Sequence, residues 1–480
     1  MRLSKLPSRV VLAMPLALGV VDCVYADCVA WRLLVEPDVQ QRAGVSVSVD
    51  ADTALVGIIG DPALAGGCAV FRRTDAGWTR ESIFRAPAVG PVSFGYPAII
   101  KGYTAVLGAI TWVNLTTIDG AVFVYERSDD GTWSEGTLVT ATMADPDPDR
   151  AEFFGGGIAL DGDTLVVGAY NLSVAFAFER QLDGQWMQTQ QLLPNDGRGY
   201  FYGRSIALSG DLAVIGAPQD FHVGSWAGSA YVLRRTEKGE WVTTQKLLPS
   251  PPSFIGNFGF SVAIDDQQNL LVGEYNGATD GESSGIVHVY SPTKNGSFEY
   301  RQRIVCPSHE RSANFGYSIA VDGDLLIAGA DHWNGPMFGN GGAFIFQRQP
   351  DGMYRQTGLL MAPDGQDGDW FGNQVAISGD TAIVGALFRD EAGFEDAGGA
   401  YAFHISRDDD GDGAMDDCQC DLDTNFDGLV NVTDLAFTIS NIGRSGPEVG
   451  RTYGDFDNDR DTDLTDLAML LAGFGSACEP

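Results

Sequence analysis

Positive charge is scarce in this 480-residue chain: 30 Lys and Arg stand against 64 Asp and Glu, a formal net charge of −34. A phosphate backbone is gripped by clustered Lys and Arg, so nucleic acid is excluded as a partner class. After residue 26 there is no apolar run of the roughly 20 residues that a membrane-spanning helix needs. Histidine is rare, with five in all, and no G-x-S-x-G, H-E-x-x-H or Walker-type segment occurs. Acidic pairs are so abundant that no two carboxylates can be singled out as a glycosidase pair. No catalytic residue is therefore assigned, and a binding protein is expected over an enzyme.

The first 26 residues read as a secretory signal. Arg2, Lys5 and Arg9 precede the short apolar core "VVLAMPLALGVV", and "VYA" (24–26) offers small residues for cleavage. The mature chain, 27–480, is then secreted or held at the cell surface, with no transmembrane segment once the signal is removed. Cys23 leaves with the signal, so six cysteines remain: Cys28, Cys68, Cys306, Cys418, Cys420 and Cys478. Cys418-x-Cys420 is too tightly spaced for a zinc knuckle, and no His follows at ligand spacing. Structural disulfides are expected, with their pairing open.

What the chain has in plenty is glycine, 61 residues, and aromatics, 10%. They are organised in one recurring tile. The stretch "FGYSIAVDGDLLIAGA" (315–330) has counterparts in "FGYPAII" at Phe94, "FGGGIAL" at Phe154, "YGRSIAL" at Tyr202, "FGFSVAI" at Phe258 and "FGNQVAI" at Phe371. A degenerate first copy, "AGVSVSV", starts at Ala43. The tile glycines 44, 95, 155, 203, 259, 316 and 372 are separated by 51, 60, 48, 56, 57 and 56 residues. Each copy continues through a second strand ending in Gly, a third such as "GSAYVLRR", and a fourth introduced by Gly and an aromatic, as in "GEWVTTQKLL".

Four short strands repeated at this interval predict propeller blades, because each small sheet must bury its faces against neighbours. A β-solenoid would use shorter repeats. The last copy, ending at "GGAYAFHISR" (398–407), lacks a fourth strand, whereas "CVAWRLLVEP" (28–37) reads as an orphan fourth strand with Trp31 at the aromatic position. The expectation is an all-β seven-bladed β-propeller over residues 27–407, closed by its N-terminal strand.

This tile pattern resembles the FG-GAP repeats of integrin α-subunit propellers and of bacterial surface proteins. In calcium-binding members a DxDxDG-type loop joins the first two strands. Here that link is only "DGD" (161–163, 322–324), "SGD" or "DADT", a tight turn with too few oxygens to wrap calcium. No propeller calcium site is carried over.

Strand order puts the longer links, between strands two and three and between blades, on one face. Trp112, His222, Trp226, His332, Trp333 and Phe388 lie in these links and are candidate ligand-binding residues, since exposed aromatics beside polar groups suit a sugar ring or a protein partner.

From Asp408 onward 18 Asp or Glu face three Arg, a net of 3 − 18 = −15. Residues 408–420 form an acidic linker, and 421–480 hold a duplication offset by 32 residues. In the first copy Asp423, Asn425, Asp427, Leu429 (through its carbonyl), Asn431 and Asp434 fall at positions 1, 3, 5, 7, 9 and 12 of an EF-hand calcium loop, with Gly428 at the sharp turn. In the second, Asp455, Asp457, Asp459, Asp461, Asp463 and Asp466 do so, with Arg460 in place of the glycine. Stripes Leu435, Ile439, Ile442 and Leu467, Leu471, Phe474 predict two helices packed face to face. A disordered acidic tail would explain the charge but neither the repeat nor the stripes. Two calcium ions are expected in this module.

The duplicated unit resembles a dockerin, and the resemblance implies a small α-helical calcium-binding module that attaches exported proteins to a cohesin-like or other surface protein. Positions 10 and 11 are Val432–Thr433 and Leu464–Thr465, a departure from the Ser–Thr pair common in cellulosomal dockerins. The linker "DDDGDGAMDDC" resembles a thrombospondin type 3 stretch, implying Asp408, Asp410, Asp412 and Asp416 as ligands of a further calcium. The function expected is that of an exported, non-catalytic binding or adhesion protein whose partner is a protein or a polysaccharide. The alternatives are a component of a polysaccharide-degrading complex, enzyme or accessory, and a purely structural surface protein.

Overall fold

The computed structural model describes residues 30–33, 41–60, 66–74, 77–85, 93–110, 120–142, 153–197, 199–221, 226–251, 255–279, 282–307, 311–334, 341–390, 396–408, 432–443, 445 and 461–473. Seven four-stranded antiparallel sheets are arranged so that their innermost strands neighbour one another in a closed ring, a seven-bladed propeller. Blades one to six each take their four strands from one stretch of chain, as in blade four with Ile206–Ser209, Leu212–Ala217, Ser229–Arg235 and Trp241–Leu247. In blade five a small hairpin, Ala278–Thr279 with Glu282–Ser283, is inserted between the second and third strands. Blade seven is completed from the other end of the chain. Ala30–Leu33 pairs antiparallel with Gly399–His404, placing Leu33 opposite Ala400.

That register corrects one expectation. Trp31 lies opposite Ala402 just as Gln245 lies opposite Val232 in blade four, so it does not occupy the aromatic position of the other fourth strands. The buried residue decides the alignment, with Leu33 taking the place that Leu247 holds in blade four.

The tile's residue types follow from how blades meet. Phe94, Phe154, Tyr202, Phe258, Phe315 and Phe371 are all at most 2% exposed, each wedged against the preceding blade. Gly372 has φ +92°, and a Cβ there would stand 2.2 Å from the Gly342 carbonyl oxygen, so only glycine fits. The core is divided into seven apolar clusters, each shared by two adjacent blades, and Leu33 belongs to the one joining blades seven and one.

Polar links repeat around the ring. The first acid of the tight turn between strands one and two accepts a hydrogen bond from the turn glycine of the following blade, Asp50 from Gly102, Asp161 from Gly210 and Asp322 from Gly379. These carboxylates tie blades together, which explains their presence in turns too short to hold calcium. Gln190, Gln245 and Gln302 each exchange two hydrogen bonds with the backbone of the next blade, at Trp241, Phe298 and Tyr354.

Cys68 and Cys306 are fully buried thiols in two different wedges, not disulfide halves, and burial pushes the Cys68 thiol upward. They behave as small apolar residues filling a core. Cys28, Cys418, Cys420 and Cys478 lie outside the described residues.

Asp364 fastens the closing strand. It accepts from Arg32 at 3.1 Å, from Arg389 at 2.6 Å and from the Tyr401 hydroxyl. Burial raises its carboxyl, but Tyr401, Arg389 and Arg32 outweigh that and hold it below its ordinary value of 3.8. A lowered value means that its contribution is complete above that range and is lost as pH falls through the lowered one. Digestion by pepsin between pH 5 and 2 should therefore release residues 28–37 progressively as acidity rises. Asp364→Asn should show the acid behaviour already at pH 5, and identical release profiles for the two proteins would count against the latch.

Candidate functional site at the channel mouth

The residue that follows the tile glycine sits at the start of each innermost strand, on the side that carries the long links. Around the ring these residues are Val45, Tyr96, Gly156, Arg204, Phe260, Tyr317 and Asn373. Five of the seven, Tyr96, Gly156, Arg204, Phe260 and Tyr317, line a cavity of about 210 Å³ at the axis. Innermost strands from six of the seven blades contribute to its wall, so it is the mouth of the central channel.

Aromatics crowd this opening. Phe260 packs on Tyr275 and Tyr317 with ring centroids 4.7 and 4.6 Å apart, and Tyr170 stacks on Phe201 at 5.5 Å. Gly156 leaves room for Tyr170, whose ring would collide with a Cβ there at 2.2 Å. Arg204 reaches across blade three. Its Nη2 donates to the Tyr96 hydroxyl at 3.1 Å, and its guanidinium lies 4.6 Å from the Phe260 ring centre and 5.7 Å from that of Tyr170. Burial works against that charge, yet the oxygens of Tyr96, Tyr317 and Tyr170 hold the guanidinium proton more tightly than usual. The Tyr317 hydroxyl is pushed upward, by burial first and by Tyr96 second, so it stays a neutral donor.

Beneath the collar, serines at the next tile position link neighbouring blades. Ser46, Ser205 and Ser261 donate to the carbonyls of Gly95, Gly259 and Gly316 at 2.7–2.8 Å.

The residues expected from the sequence are distributed unevenly. His332 and Phe388 flank Trp370 on the rim, at 4.6 and 4.3 Å, and Arg42 covers Phe388 at 4.7 Å. His332 Nδ1 bonds buried Asp331 at 2.8 Å, and that bond raises the imidazole above its ordinary value. Trp226 is 42% exposed and forms an open cluster with Tyr200 and Phe221. Trp333 is withdrawn, only 8% exposed, packed edge-on to Phe344 and over Gly342. It plugs its own blade and offers no ring to a ligand. Trp112 and His222 lie outside the described residues.

Of the calcium positions, Asp423, Asn425, Asp427, Leu429, Asn431, Asp455, Asp457, Asp459, Asp410, Asp412 and Asp416 also lie outside them, as does the Asp434 side chain. Asp408 is buried at the propeller end, where its backbone N–H donates to Gln347. Asp461, Asp463 and Asp466 each bring a carboxylate oxygen within 4.8 Å of the others. Calcium–oxygen bonds of about 2.4 Å span that separation, so the trio fits one such ion. The same acids cap the helix Leu464–Gly473: Asp463 accepts from the Thr465 amide at 2.5 Å, and Asp466 accepts from the Asp463 amide at 2.7 Å.

The helix faces differ from the expected stripes. Thr438, Asn441, Asp466 and Leu470 are buried, whereas Ile439, Ile442 and Leu471 are 53%, 40% and 53% exposed. Phe474 lies outside the described residues.

A family model described as "FG-GAP repeat" matches residues 186–233, 241–290 and 354–403. These segments are FG-GAP repeats, and each begins on the fourth strand of one blade and ends on the third strand of the next. The strand Ala30–Leu33 stands in the fourth-strand position of blade seven. No curated protein matches the chain. Solved structures similar to it include a protein from Lactobacillus plantarum, 13% identical over 67% of this chain and 86% of that one, TM-score 0.44. A putative 6-phosphogluconolactonase from Bacteroides uniformis is 10% identical over 67% and 86%, TM-score 0.49. A periplasmic gluconolactonase from Pseudomonas aeruginosa is 13% identical over the same shares, TM-score 0.45.

Proposed function

We propose that the chain is an exported binding protein whose propeller recognises its ligand on the face bearing the long links, and whose acidic tail folds around calcium and attaches the molecule to a surface partner. One observation carries this reading. Half-buried aromatics from several blades converge on a single opening, whereas the opposite face is made of tight turns tied blade to blade by their own acids. Asp461, Asp463 and Asp466 would hold one calcium, and Asp423, Asn425, Asp427 and Asp434 a second. Each ion would neutralise carboxylates that otherwise repel one another.

The test is capture of cell-envelope proteins and insoluble polysaccharides by residues 27–480, with calcium, with chelator, and with residues 408–480 removed. A surface protein should be lost on chelation and on tail removal, while a polysaccharide should be retained by the propeller alone. If every capture is indifferent to calcium and to the tail, attachment through the tail is wrong. If the propeller alone retains nothing, recognition on its face is wrong.

A further inference from the structure

Arg204 carries its charge at the channel mouth without an ion pair among the described residues. Arg32, Arg73, Arg127, Arg235 and Arg348 each meet a carboxylate, but no carboxylate among the described residues lies within ion-pair distance of Arg204. Of the five N–H groups that a guanidinium carries, the protein engages one, through Tyr96. A partly buried cation held only by ring faces and a phenol is under-compensated. The hydroxyl of Tyr317, in the same wall, has no protein partner among the described residues. The nearby acid Asp331 is already committed to Asn314 and His332. Ser205 and Ser261 spend their hydrogens on backbone carbonyls, while Ser318 Oγ accepts from the Val375 amide. Donors that remain at the opening are the guanidinium, the Tyr317 hydroxyl, the Ser318 hydroxyl and the Gln374 amide, and of these only the guanidinium carries charge.

We propose that the channel mouth is an anion site in which Arg204, beside the Tyr96 and Tyr317 hydroxyls, takes the carboxylate of a small ring-sized organic acid. This rests on the reading of the same face as the recognition surface and names the chemistry of its ligand. A single guanidinium matches a monoanion, and planar N–H pairs suit a carboxylate's two oxygens. The cavity of about 210 Å³ equals roughly seven water volumes at about 30 Å³ each. That is room for one six-membered ring with its substituents. The carboxylate can come from a free acid or from the end of an acidic polysaccharide.

The experiment is calorimetric titration of residues 27–480 with sodium glucuronate, glucose, inorganic phosphate and an end-exposed polyuronate. It is run at physiological ionic strength, which screens the chain's negative field. Glucuronate should saturate one site and glucose should not bind. Arg204→Gln should weaken glucuronate at least tenfold, Tyr317→Phe should weaken it less, and Arg204→Lys should retain part of the affinity. Thermal unfolding of each variant verifies folding, and the Lys and Phe variants carry the test should the Gln variant misfold. Tighter binding of the polyuronate than of glucuronate would identify the chain end as the source, and the reverse the free acid.

Glucuronate binding no better than glucose, or equally well to folded Arg204→Gln, would overturn the proposal and leave Arg204 a plug of the aromatic collar. Phosphate binding as tightly as glucuronate would overturn the carboxylate assignment. Polysaccharide capture that glucuronate does not compete would sink this site and leave the binding reading standing. Saturable glucuronate binding without any capture would do the opposite.

Discussion

Deleting residues 28–37 is expected to cost the propeller more than any single substitution in its blades. The deletion removes Leu33, 1% exposed in the wedge between blades seven and one, and truncating one buried leucine alone costs about 2–5 kcal/mol. It also strips the outer strand from Gly399–His404, leaving a row of unpaired backbone N–H and C=O groups that invites pairing with another molecule. Urea unfolding should show a lower midpoint, and sedimentation should show association at concentrations where the intact chain stays monodisperse. A synthetic peptide of residues 28–37 should restore much of the midpoint, because the missing piece is a pairing partner and not a folding instruction. An unchanged midpoint after deletion would mean that the ring closes without this strand.

Blade five is the second place where a small change should have a large effect. Glu274 and His288 face each other at 2.7 Å, and their side chains are 0% and 1% exposed. The corresponding positions in blade four are Ala217 and Tyr231, and in blade six Ala330 and Phe344. One tile has thus replaced an apolar pair by a polar one. Removing one partner of such a buried pair costs about 3–5 kcal/mol, since the other is left without compensation in the core.

Glu274→Ala should therefore unfold at a markedly lower denaturant concentration, and His288→Phe likewise, since each leaves the other partner uncompensated in the core. The double variant Glu274→Ala, His288→Phe restores the pattern of the neighbouring blade and should recover most of the loss, or exceed the natural chain. Additive losses in the double variant would show that the two residues do not act as a pair.

Much of the architecture was legible in the residues themselves. Tile glycines at near-constant spacing, an orphan strand at the start and a missing one at the end predict seven blades and their closure. They do so because the repeat is local and its phase can be counted. Local signals failed where a partner decides. Trp31 looked like the strand's aromatic marker, but Leu33 had a place in a core to fill and set the register four residues away. The stripe Leu435, Ile439, Ile442 has helical spacing, yet the helix turns Thr438 and Asn441 inward, and periodicity does not say which face finds a neighbour. Trp333 is as aromatic as Trp226, but only the fold shows that it lies beneath its loop.

The channel mouth was hidden for a related reason. Its residues come one per tile, about fifty positions apart, and each directly follows the aromatic–glycine pair that six of the seven copies share: Tyr96, Gly156, Arg204, Phe260, Tyr317. Comparing tiles with one another would have flagged that position as freed from the packing that constrains its neighbours. The sequence by itself determined the number of blades, their phase, the closing strand and the acidic duplication of the tail, all of which depend on order along the chain. Only the tertiary structure decided that one arginine, two phenols and a phenylalanine share a cavity. Circular closure converts positions that are periodic in sequence into positions that are adjacent around an axis.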